Sequence, residues 1–387
     1  MRVVIFCHSL VSDWNNGHAH FLRGIATELL ARGHEVACYE PRNGWSRQNL
    51  LADAGPSAID GFHAAYPWLD GVEYDLETLD VDAALAGVSL VLVHEWNDPA
   101  LVSRIGAHRA ARGRYALLFH DSHHRSVSDQ AAIGALDLRN YDGVLAFSAS
   151  IAEVYRRQGW MRQTFVWHEA ADTRMFRPLP EVSADRDLVW IGNWGDEERT
   201  AELQSFLVSP VRALGLSARA YGVRYPAAGR ELLGAVGIEY CGWAPNYRVS
   251  ELFARHRVTV HIPRRPYGGA LPGVPTIRVF EALACGIPLV CGPWDDVEGL
   301  FTPGEDFLIA RSDTEMTGYL QSLLMDREWA RALAERGRRT VLRHHTCAHR
   351  VDELLRIWAR LTGGSVVGAE SPSRASDGAV AAVRHPR

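Results

Sequence analysis

The sequence predicts an α/β protein with two doubly wound parallel sheets. Short apolar runs such as residues 3–7 alternate with helical spacing, in which Phe21, Ile25 and Leu29 recur on one face. Apolar runs of this kind are typical of strands that are buried on both faces, and their alternation with helices favours parallel pairing. The alternation occurs twice, on either side of a proline-containing segment, so we expect two such domains.

The first domain is expected over residues 1–170. A helix at residues 18–32 ends at Gly33, where glycine accepts the left-handed backbone of a helix C-cap. An arginine-rich helix ending near Gly113 separates two later strands. The predicted strands of this half cover residues 3–7, 35–39, 89–93, 115–119, 143–147 and 164–167.

A segment without periodicity separates the two halves. Residues 171–186 contain Pro178 and Pro180 and are expected to form an interdomain linker. The second domain is expected over residues 187–345, followed by an amphipathic helix at 346–362 and a disordered tail at 363–387 that has little to bury. The predicted strands of this half cover 188–191, 218–221, 238–241, 258–262, 288–291 and 307–310, and the predicted helices cover 199–214, 249–255, 276–285 and most of 313–343.

The composition excludes chemistry that depends on lysine. The 387 residues contain no lysine, so all 41 basic residues are arginine. This excludes a lysine Schiff base, a lysine general base and the phosphate-binding lysine of a P-loop. Arginine remains available, and its planar fork is the better match for carboxylates and phosphates.

Charge and hydropathy exclude further classes of protein. The formal net charge of −5 and the lack of a basic stripe argue against a dedicated nucleic-acid partner. No apolar run approaches 18 residues, so we expect no membrane span, and the N-terminal apolar run is too short for a signal peptide. The six cysteines form no C-x-x-C pair, which favours a reducing cytoplasm.

A long loop follows the first predicted strand, at the edge where doubly wound sheets bind ligands. It leads to the start of a helix, whose free N–H groups can bind an anion or a sugar oxygen. A histidine here suits a general base near neutral pH, although it can also simply line the start of the helix. The candidate residues of this segment are Asp13, Asn16, Gly17, His18 and His20.

Two more polar clusters follow predicted strands of the first half. His94 and Glu95 follow one strand, and His120, Asp121 and His123 follow the next. Because the carboxyl ends of parallel strands meet at one edge, we expect these side chains to line one cleft. Histidines at 120, 123 and 124 could suggest a metal, but adjacent residues after a strand seldom face one ion and no second cluster matches, so we predict no metal site.

The most informative stretch of the second half is residues 272–290. Glycine and prolines lead to a helix start at Thr276, where free N–H groups and Arg278 favour a diphosphate site. Glu281 is acidic in an otherwise apolar helix and suits two ribose hydroxyls; a structural ion pair with Arg278 is the alternative. The other candidates of this half are Gly192, Asn193, Trp194, Arg199, Arg224, Trp243 and Ile277, of which Trp243 suits contact with a base.

These residues resemble the GT-B fold glycosyltransferases of the group 1 type. Glu281 followed by Ala-Leu-Ala-Cys-Gly-Ile-Pro-Leu-Val is similar to their nucleotide-sugar signature, and residues 172–178 resemble the crossover between their two Rossmann-like domains. Residues 304–308, with the sequence Gly-Glu-Asp-Phe-Leu, also fit the pattern of this family. The chain is most similar to the spore-maturation, CgeB-like branch, over roughly residues 1–360.

The resemblance implies a donor nucleotide in the second domain, an acceptor in the first, a cleft between them and a final helix that crosses back. It implies a transferase that needs neither metal nor cofactor besides the nucleotide-diphosphate sugar. Together with the positions of the residues after the predicted strands, it leads us to assign catalysis to His18, His120 and Asp121, and acceptor binding to Asp13, Asn16, Gly17, His20, His94, Glu95 and His123. Donor binding falls to Gly192, Asn193, Trp194, Arg199, Arg224, Trp243, Thr276, Ile277, Arg278 and Glu281.

The chain departs from the group 1 pattern at two points. Of the family's two glutamates eight positions apart, Glu281 matches the second, but Gly273 stands at the first. The lysine that grips the diphosphate is missing, and Arg199 is our substitute, with Arg224 and Arg278 as further candidates.

Two stereochemical outcomes follow for the proposed reaction. If the enzyme inverts, His18 deprotonates the acceptor hydroxyl, oriented by Asp13 or Asp121. If it retains, the acceptor attacks from the face of the leaving group and His120 contacts the donor sugar; the resemblance favours this outcome. The rival functions are a GT-B-fold epimerase or hydrolase of nucleotide sugars, and a non-catalytic nucleotide or sugar binder marked by Gly273.

Overall fold

The computed structural model describes residues 1–195 and 199–363. Its first sheet consists of β1 (Arg2–Phe6), β2 (Glu35–Pro41), β3 (Gly71–Tyr74), β4 (Leu90–His94), β5 (Ala116–Asp121), β6 (Gly143–Ala146) and β7 (Thr164–Val166). Its second consists of β8 (Arg186–Ile191), β9 (Ala218–Tyr221), β10 (Ile238–Tyr240), β11 (His256–His261), β12 (Leu289–Cys291) and β13 (Leu308–Ile309).

All strands of both sheets are parallel, as the apolar runs predict. The first sheet has the order β3-β2-β1-β4-β5-β6-β7, and the second has the order β10-β9-β8-β11-β12-β13. The strand order reverses beside β1 in the first sheet and beside β8 in the second. Ligands of doubly wound sheets bind at the carboxyl ends of the strands at such reversal points.

Helices cover both faces of the two sheets. None of those described is long and apolar enough to cross a bilayer. With the first sheet are α1 (His18–Ala31), α2 (Trp45–Ala54), α3 (Ser57–Ala65), α4 (Val81–Ala84), α5 (Pro99–Arg112), α6 (Arg125–Ser128), α7 (Gln130–Gly134) and α8 (Ala149–Arg157). The rest are α9 (Thr200–Leu203), α10 (Ser209–Leu214), α11 (Ala227–Gly234), α12 (Val249–Ala254), α13 (Arg265–Gly268), α14 (Ile277–Cys285), α15 (Asp313–Met325), α16 (Arg327–His344) and α17 (Cys347–Thr362), with a π-helical turn at Gln204–Val208 and a 3₁₀ turn at Asn246–Arg248.

The fold agrees with the predicted two-sheet α/β class. Sequence analysis missed β3, because this edge strand has the sequence Gly-Val-Glu-Tyr and offers no apolar run. The short helices α2 and α3 were not predicted either. Each buries only two side chains, so few apolar residues recur at helical spacing. The exact domain boundaries at 170, 186 and 345 stay a prediction. The predicted disordered tail falls, from residue 364 onward, outside the described residues.

The last of the described helices, α17, returns to the first domain. Val351, Leu354 and Leu355 are buried in the same apolar core as β1 and α1, and the Trp358 indole N–H donates to the Ser89 carbonyl at 3.1 Å. Helix α1 admits this neighbour only because residue 24 is glycine: a Cβ there would lie 2.8 Å from the Asp172 Cβ and would also collide with the Cys347 sulfur.

The segment between β11 and α14 packs against the first domain. Tyr267, Leu271 and Val274 are buried in the apolar core around β4 and β5, and Ile277 is buried in the core beneath α1. Removing apolar surface from water contributes about 25 cal/mol per Å². The burial of these four side chains against the first domain therefore stabilises the junction between the two halves.

Candidate functional site

Two helix N-termini meet at the junction of the domains. Gly17 precedes α1, and a Cβ on it would lie 3.3 Å from the Ile277 Cγ2 at the start of α14. Both helices run away from the carboxyl edges of their sheets, so their free N–H groups face the space between the two strand reversals. This places the predicted residues at 17, 18, 276 and 277 together.

Three histidines form a cluster on the side of the first domain. The His18 ring stacks on His94 with centroids 4.4 Å apart, and it lies 4.9 Å from the His120 ring. The three rings line a cavity of about 10 Å³ beneath the edge, which is the size of about one water. Burial lowers the pKa of His94 and of His120 well below the ordinary value, so both are neutral at pH 7.

The histidine cluster has the spacing of a candidate metal site. One ring nitrogen from each of His18, His94 and His120 lies within 4.8 Å of the others. However, His94 already shares a hydrogen bond of 2.8 Å with the Ser122 hydroxyl through Nε2 and accepts one of 3.4 Å from the Trp96 N–H at Nδ1. The His18 and His94 rings are stacked at 19° and do not radiate from one point. The arrangement therefore suits a neutral hydrogen-bonding cluster better than an ion.

Asp121 and Glu95 form a buried pair of carboxyl groups beside the cluster. Asp121 accepts from the Tyr155 hydroxyl at 2.8 Å and from the His123 N–H at 3.1 Å. Burial raises the pKa of the Asp121 carboxyl to about 6. Burial and the Asp121 charge raise the pKa of Glu95 well above its ordinary value, although Arg125 lies 3.5 Å away.

We expect Asp121→Asn to stabilise the protein at pH 7. The Asp121 carboxyl has a pKa of 3.8 in the unfolded chain and about 6 in the folded protein, so the folded state binds its proton more tightly. The free energy of unfolding gained from this proton is fully present below pH 4 and is lost as the pH rises through 6. Asparagine has no proton to lose, so the variant avoids that loss. Since one pKa unit corresponds to about 1.36 kcal/mol, we expect the free energy of unfolding at pH 7 to increase by about 1–3 kcal/mol. Urea unfolding followed by circular dichroism at pH 4 and pH 7 measures it.

Asp137→Asn is the control for that substitution. Asp137 is paired with Arg139, which lowers the pKa of the Asp137 carboxyl to about 2, so its removal brings no gain at pH 7. Equal stability of Asp121→Asn and the wild type at both pH values would contradict the prediction.

Asp13 connects the two domains. Its carboxylate accepts from Arg23 at 2.9 Å, from the Trp243 indole N–H at 2.9 Å and from the Asn246 backbone N–H at 2.9 Å. The predicted acceptor residue Asp13 and the predicted base-contacting residue Trp243 are therefore bonded to each other. Asn16 lies nearby, but its amide donates back to the carbonyls of its own loop.

Glu281 makes a second interdomain connection. It is 0% exposed and accepts from Arg278 and, at 2.8 Å, from His20 Nδ1 of the first domain. The Asp172 backbone N–H donates to His20 Nε2 at 2.9 Å, which assigns the proton of neutral His20 to Nδ1. The ion pair with Arg278 that sequence analysis kept as the structural alternative is thus present, together with a partner 261 residues away in the chain.

Positive groups gather at the start of α14. The Thr276 hydroxyl shares a hydrogen bond of 2.9 Å with His261 Nε2 at the end of β11. Burial, with the charges of Arg199 and Arg278, lowers the pKa of His261 to about 3. A Cβ on Gly195 would lie 3.7 Å from both Arg199 Nε and the Arg264 guanidinium carbon. These arginines and the helix N-terminus form an electropositive group suited to a diphosphate.

The other predicted donor residues lie around this group or away from it. Asn193 donates to Asn15 of the first domain and accepts from the Val223 N–H at 2.9 Å beside Gly192. The Trp194 ring is buried in the core of the second domain, where its N–H donates to Thr200 at 3.0 Å. Arg224 lies against the Trp45 ring of the first domain, 5.9 Å from its centroid.

Gly273 stands at a backbone position that disfavours any side chain. Its φ is +82°, and a Cβ would lie 2.6 Å from the Val297 Cγ2 and 3.4 Å from the Glu298 Cγ. Glu298 fills this space and reaches the first domain, accepting from the Ala149 N–H at 2.9 Å and pairing with His168 at 2.9 Å. The family's first glutamate therefore cannot be accommodated here without strain.

Sequence analysis missed several residues of this site. Trp96 is 45% exposed at the end of β4, and the Arg125 guanidinium carbon lies 4.3 Å from its ring centroid. Glu169 lies 3.6 Å from His18 Nδ1. Trp96 and Glu169 each follow a predicted strand by two or three residues. The rule that polar residues just after a strand line the site could therefore have found them. Arg264 follows β11 by three residues and carried the same signal, whereas His261 is the last residue of β11 itself.

The comparisons with known proteins agree with this geometry. Residues 199–356 match the protein-family model described as "Glycosyl transferase-like". No curated protein matches the sequence significantly. Sucrose-phosphate synthase from Thermosynechococcus elongatus is 16% identical, with a TM-score of 0.64 over 94% of this chain and 100% of that one.

Two further solved structures share the architecture. Anabaena Alr3699/HepE, solved with UDP and glucose, is 14% identical, with a TM-score of 0.67 over 93% of this chain and 100% of that one. An alpha-glucosyltransferase, solved with UDP and a 13-mer DNA containing an HMU base, is 12% identical, with a TM-score of 0.69 over 93% and 99%. The chain thus has the GT-B fold. Its second domain carries the glycosyl transferase-like region.

Proposed function

We propose that the protein is a glycosyltransferase that moves a sugar from a nucleotide-diphosphate donor to an acceptor hydroxyl. The observation that carries the proposal is the electropositive group at the start of α14, where Ile277 lies against Gly17, the residue before His18. The family match over residues 199–356 and the similarity to structures solved with UDP support it.

The second domain supplies the charge stabilisation that this reaction needs. As the bond between the anomeric carbon and the diphosphate breaks, negative charge grows on the leaving oxygens. Arg199, Arg264 and Arg278 and the N–H groups at the start of α14 are positioned to stabilise it, so no metal ion is required at the diphosphate. Glu281 remains our candidate for the ribose hydroxyls, and binding there would replace the His20 contact.

The first domain supplies the acceptor side. His18 and His120 remain the candidates for proton transfer and sugar contact, with the neutral His94 beside them. In the inverting reaction His18 takes the acceptor proton; in the retaining one His120 contacts the donor sugar. An acceptor would enter past Trp96, whose exposed ring can stack on a sugar or another ring.

Calorimetry against UDP, GDP, ADP and dTDP tests the donor site. We expect one of them to bind once per chain, with equal affinity in EDTA and in Mg²⁺, because arginines hold the diphosphate. Loss of binding in EDTA would contradict the metal-free site, and failure of all four would contradict the function.

Turnover distinguishes the rival functions. Incubation with the matching nucleotide sugar and a cell extract, followed by mass spectrometry, should give a glycosylated product. Nucleoside diphosphate released without an acceptor would favour the hydrolase or epimerase, and binding without turnover would favour a non-catalytic binder. Glycosylated DNA in the extract would overturn our expectation that nucleic acid is not a partner.

We further infer a cytoplasmic enzyme of the CgeB-like branch. No disulfide joins any two of the cysteines in the described residues, and all but Cys241 are buried, which supports a reducing compartment; the six are Cys7, Cys38, Cys241, Cys285, Cys291 and Cys347. The sequence signature at 281–290 supports a GT-B glycosyltransferase of the group 1 type, and the branch rests on the overall resemblance of residues 1–360.

A further inference from the structure

We propose that Glu169 is the positioning residue of His18 in the glycosyl transfer, an inference that rests on the proposed function. Glu169 follows β7 where the chain leaves the first domain, and its side chain is buried. Its Oε1 lies 3.6 Å from His18 Nδ1. Neither Asp13 nor Asp121, the two carboxylates that the sequence suggested, has this position.

The burial of the His18 ring indicates which nitrogen faces the carboxylate. Nδ1 is fully enclosed and has no hydrogen-bond partner among residues 1–195 and 199–363. The side chain as a whole is 12% exposed, so the opening to solvent lies elsewhere on the ring. Nε2 is therefore the nitrogen that an acceptor can reach, while Nδ1 points inward to Glu169.

The competing carboxylates are already engaged. Asp13 accepts from Arg23, from the Trp243 indole and from the Asn246 backbone. Asp121 accepts from the Tyr155 hydroxyl and the His123 N–H. A carboxylate held by donors of its own cannot turn to a further ring nitrogen without losing those bonds.

A carboxylate at Nδ1 determines the chemistry of Nε2. By accepting a hydrogen bond from Nδ1–H, Glu169 selects the tautomer in which Nε2 has a free lone pair. In the inverting reaction the acceptor oxygen bonds to the anomeric carbon, its proton passes to Nε2, and the electron pair of the broken bond leaves with the diphosphate. The Glu169 charge then stabilises the imidazolium. The separation of 3.6 Å is longer than a hydrogen bond, and catalytic hydrogen bonds are often long before substrate binds and tighten in the complex.

Nitrogen NMR tests the contact without any substrate. In ¹⁵N-histidine protein at pH 8.5, where an ordinary imidazole is neutral, long-range ¹H–¹⁵N spectra distinguish the two tautomers. His18→Asn identifies the His18 signals. We expect the Nδ1–H tautomer in the wild type and a mixture or the Nε2–H form in Glu169→Ala. Glu298→Ala, which removes the carboxylate at His168, should leave the His18 signals unchanged.

Kinetics test the role once turnover is established. Glu169→Gln preserves shape and removes charge, so it should lower kcat about tenfold or more while nucleoside diphosphate affinity stays within about twofold. His18→Ala should lose at least as much. An Nε2–H tautomer in the wild type, signals unmoved in Glu169→Ala, or full activity of His18→Ala each overturns the proposal. A correct tautomer in a chain that binds no nucleoside diphosphate would instead overturn the proposed function.

Discussion

Arg278→Ala is expected to weaken binding of a nucleoside diphosphate by about 10- to 100-fold. A charge-assisted hydrogen bond contributes about 1.5–3 kcal/mol, and each 1.4 kcal/mol is a factor of ten in affinity. Arg278 lies in the first turn of α14, where its charge adds to the free N–H groups. Arg199→Ala should have a similar effect, because both charges act on His261. Calorimetry with the nucleoside diphosphate that binds the wild type measures both.

Two variants separate a binding effect from a folding effect. Arg331→Ala removes an exposed arginine of α16 and should leave the affinity unchanged. Arg224 lies against the Trp45 ring of the first domain. Arg224→Ala should therefore lose less affinity for the nucleoside diphosphate than Arg278→Ala. Since Arg278 also pairs with Glu281, thermal unfolding of each variant shows whether the fold is intact. Unchanged affinity in Arg199→Ala, Arg224→Ala and Arg278→Ala together would exclude this donor site.

Arg23→Ala is expected to lower the free energy of unfolding by about 3–5 kcal/mol. Arg23 is fully buried and donates to Asp13 and to the carbonyls of Leu10 and Val11, each within 2.9 Å. Its guanidinium carbon also lies 4.9 Å from the Phe62 ring centroid. Alanine leaves the buried Asp13 charge and two carbonyls without these donors, and breaking a buried ion pair from one side typically costs this much.

Urea unfolding at pH 7 measures the loss in Arg23→Ala. Arg356→Ala, on the exposed face of α17, is the control and should change stability by less than about 0.5 kcal/mol. A loss below about 1 kcal/mol in Arg23→Ala would show that the Asp13 charge keeps sufficient partners in Trp243 and Asn246.

The sequence predicts the sheets well because their evidence is local. Buried parallel strands are apolar runs, and the start of α14 is marked by Pro275 and Thr276 within one turn. The residues after β1, β4, β5 and β11 do gather at one junction, as topology requires. Edge strand β3 escaped detection, since an exposed edge needs no apolar run.

The partners within the site are not local, and this is why the sequence could not predict them. Glu281 and His20 are 261 residues apart, and Asp13 and Trp243 are 230 residues apart. Nothing near either residue in the chain indicates such a partner. Glu169 is different: it follows a predicted strand by two residues, so its position was open to prediction, but its partner His18 lies far away in the chain.

The return of α17 to the first domain has a consequence for synthesis on the ribosome. The core around β1 and α1 lacks one wall until Val351, Leu354 and Leu355 have emerged, although β7 is complete by residue 166. At about 5–20 residues per second, roughly 190 further residues take about 10–40 s to translate. During that interval the face of α1 that α17 will cover stays exposed to solvent. The first domain is therefore synthesised first, but its apolar core is completed only when α17 has been synthesised.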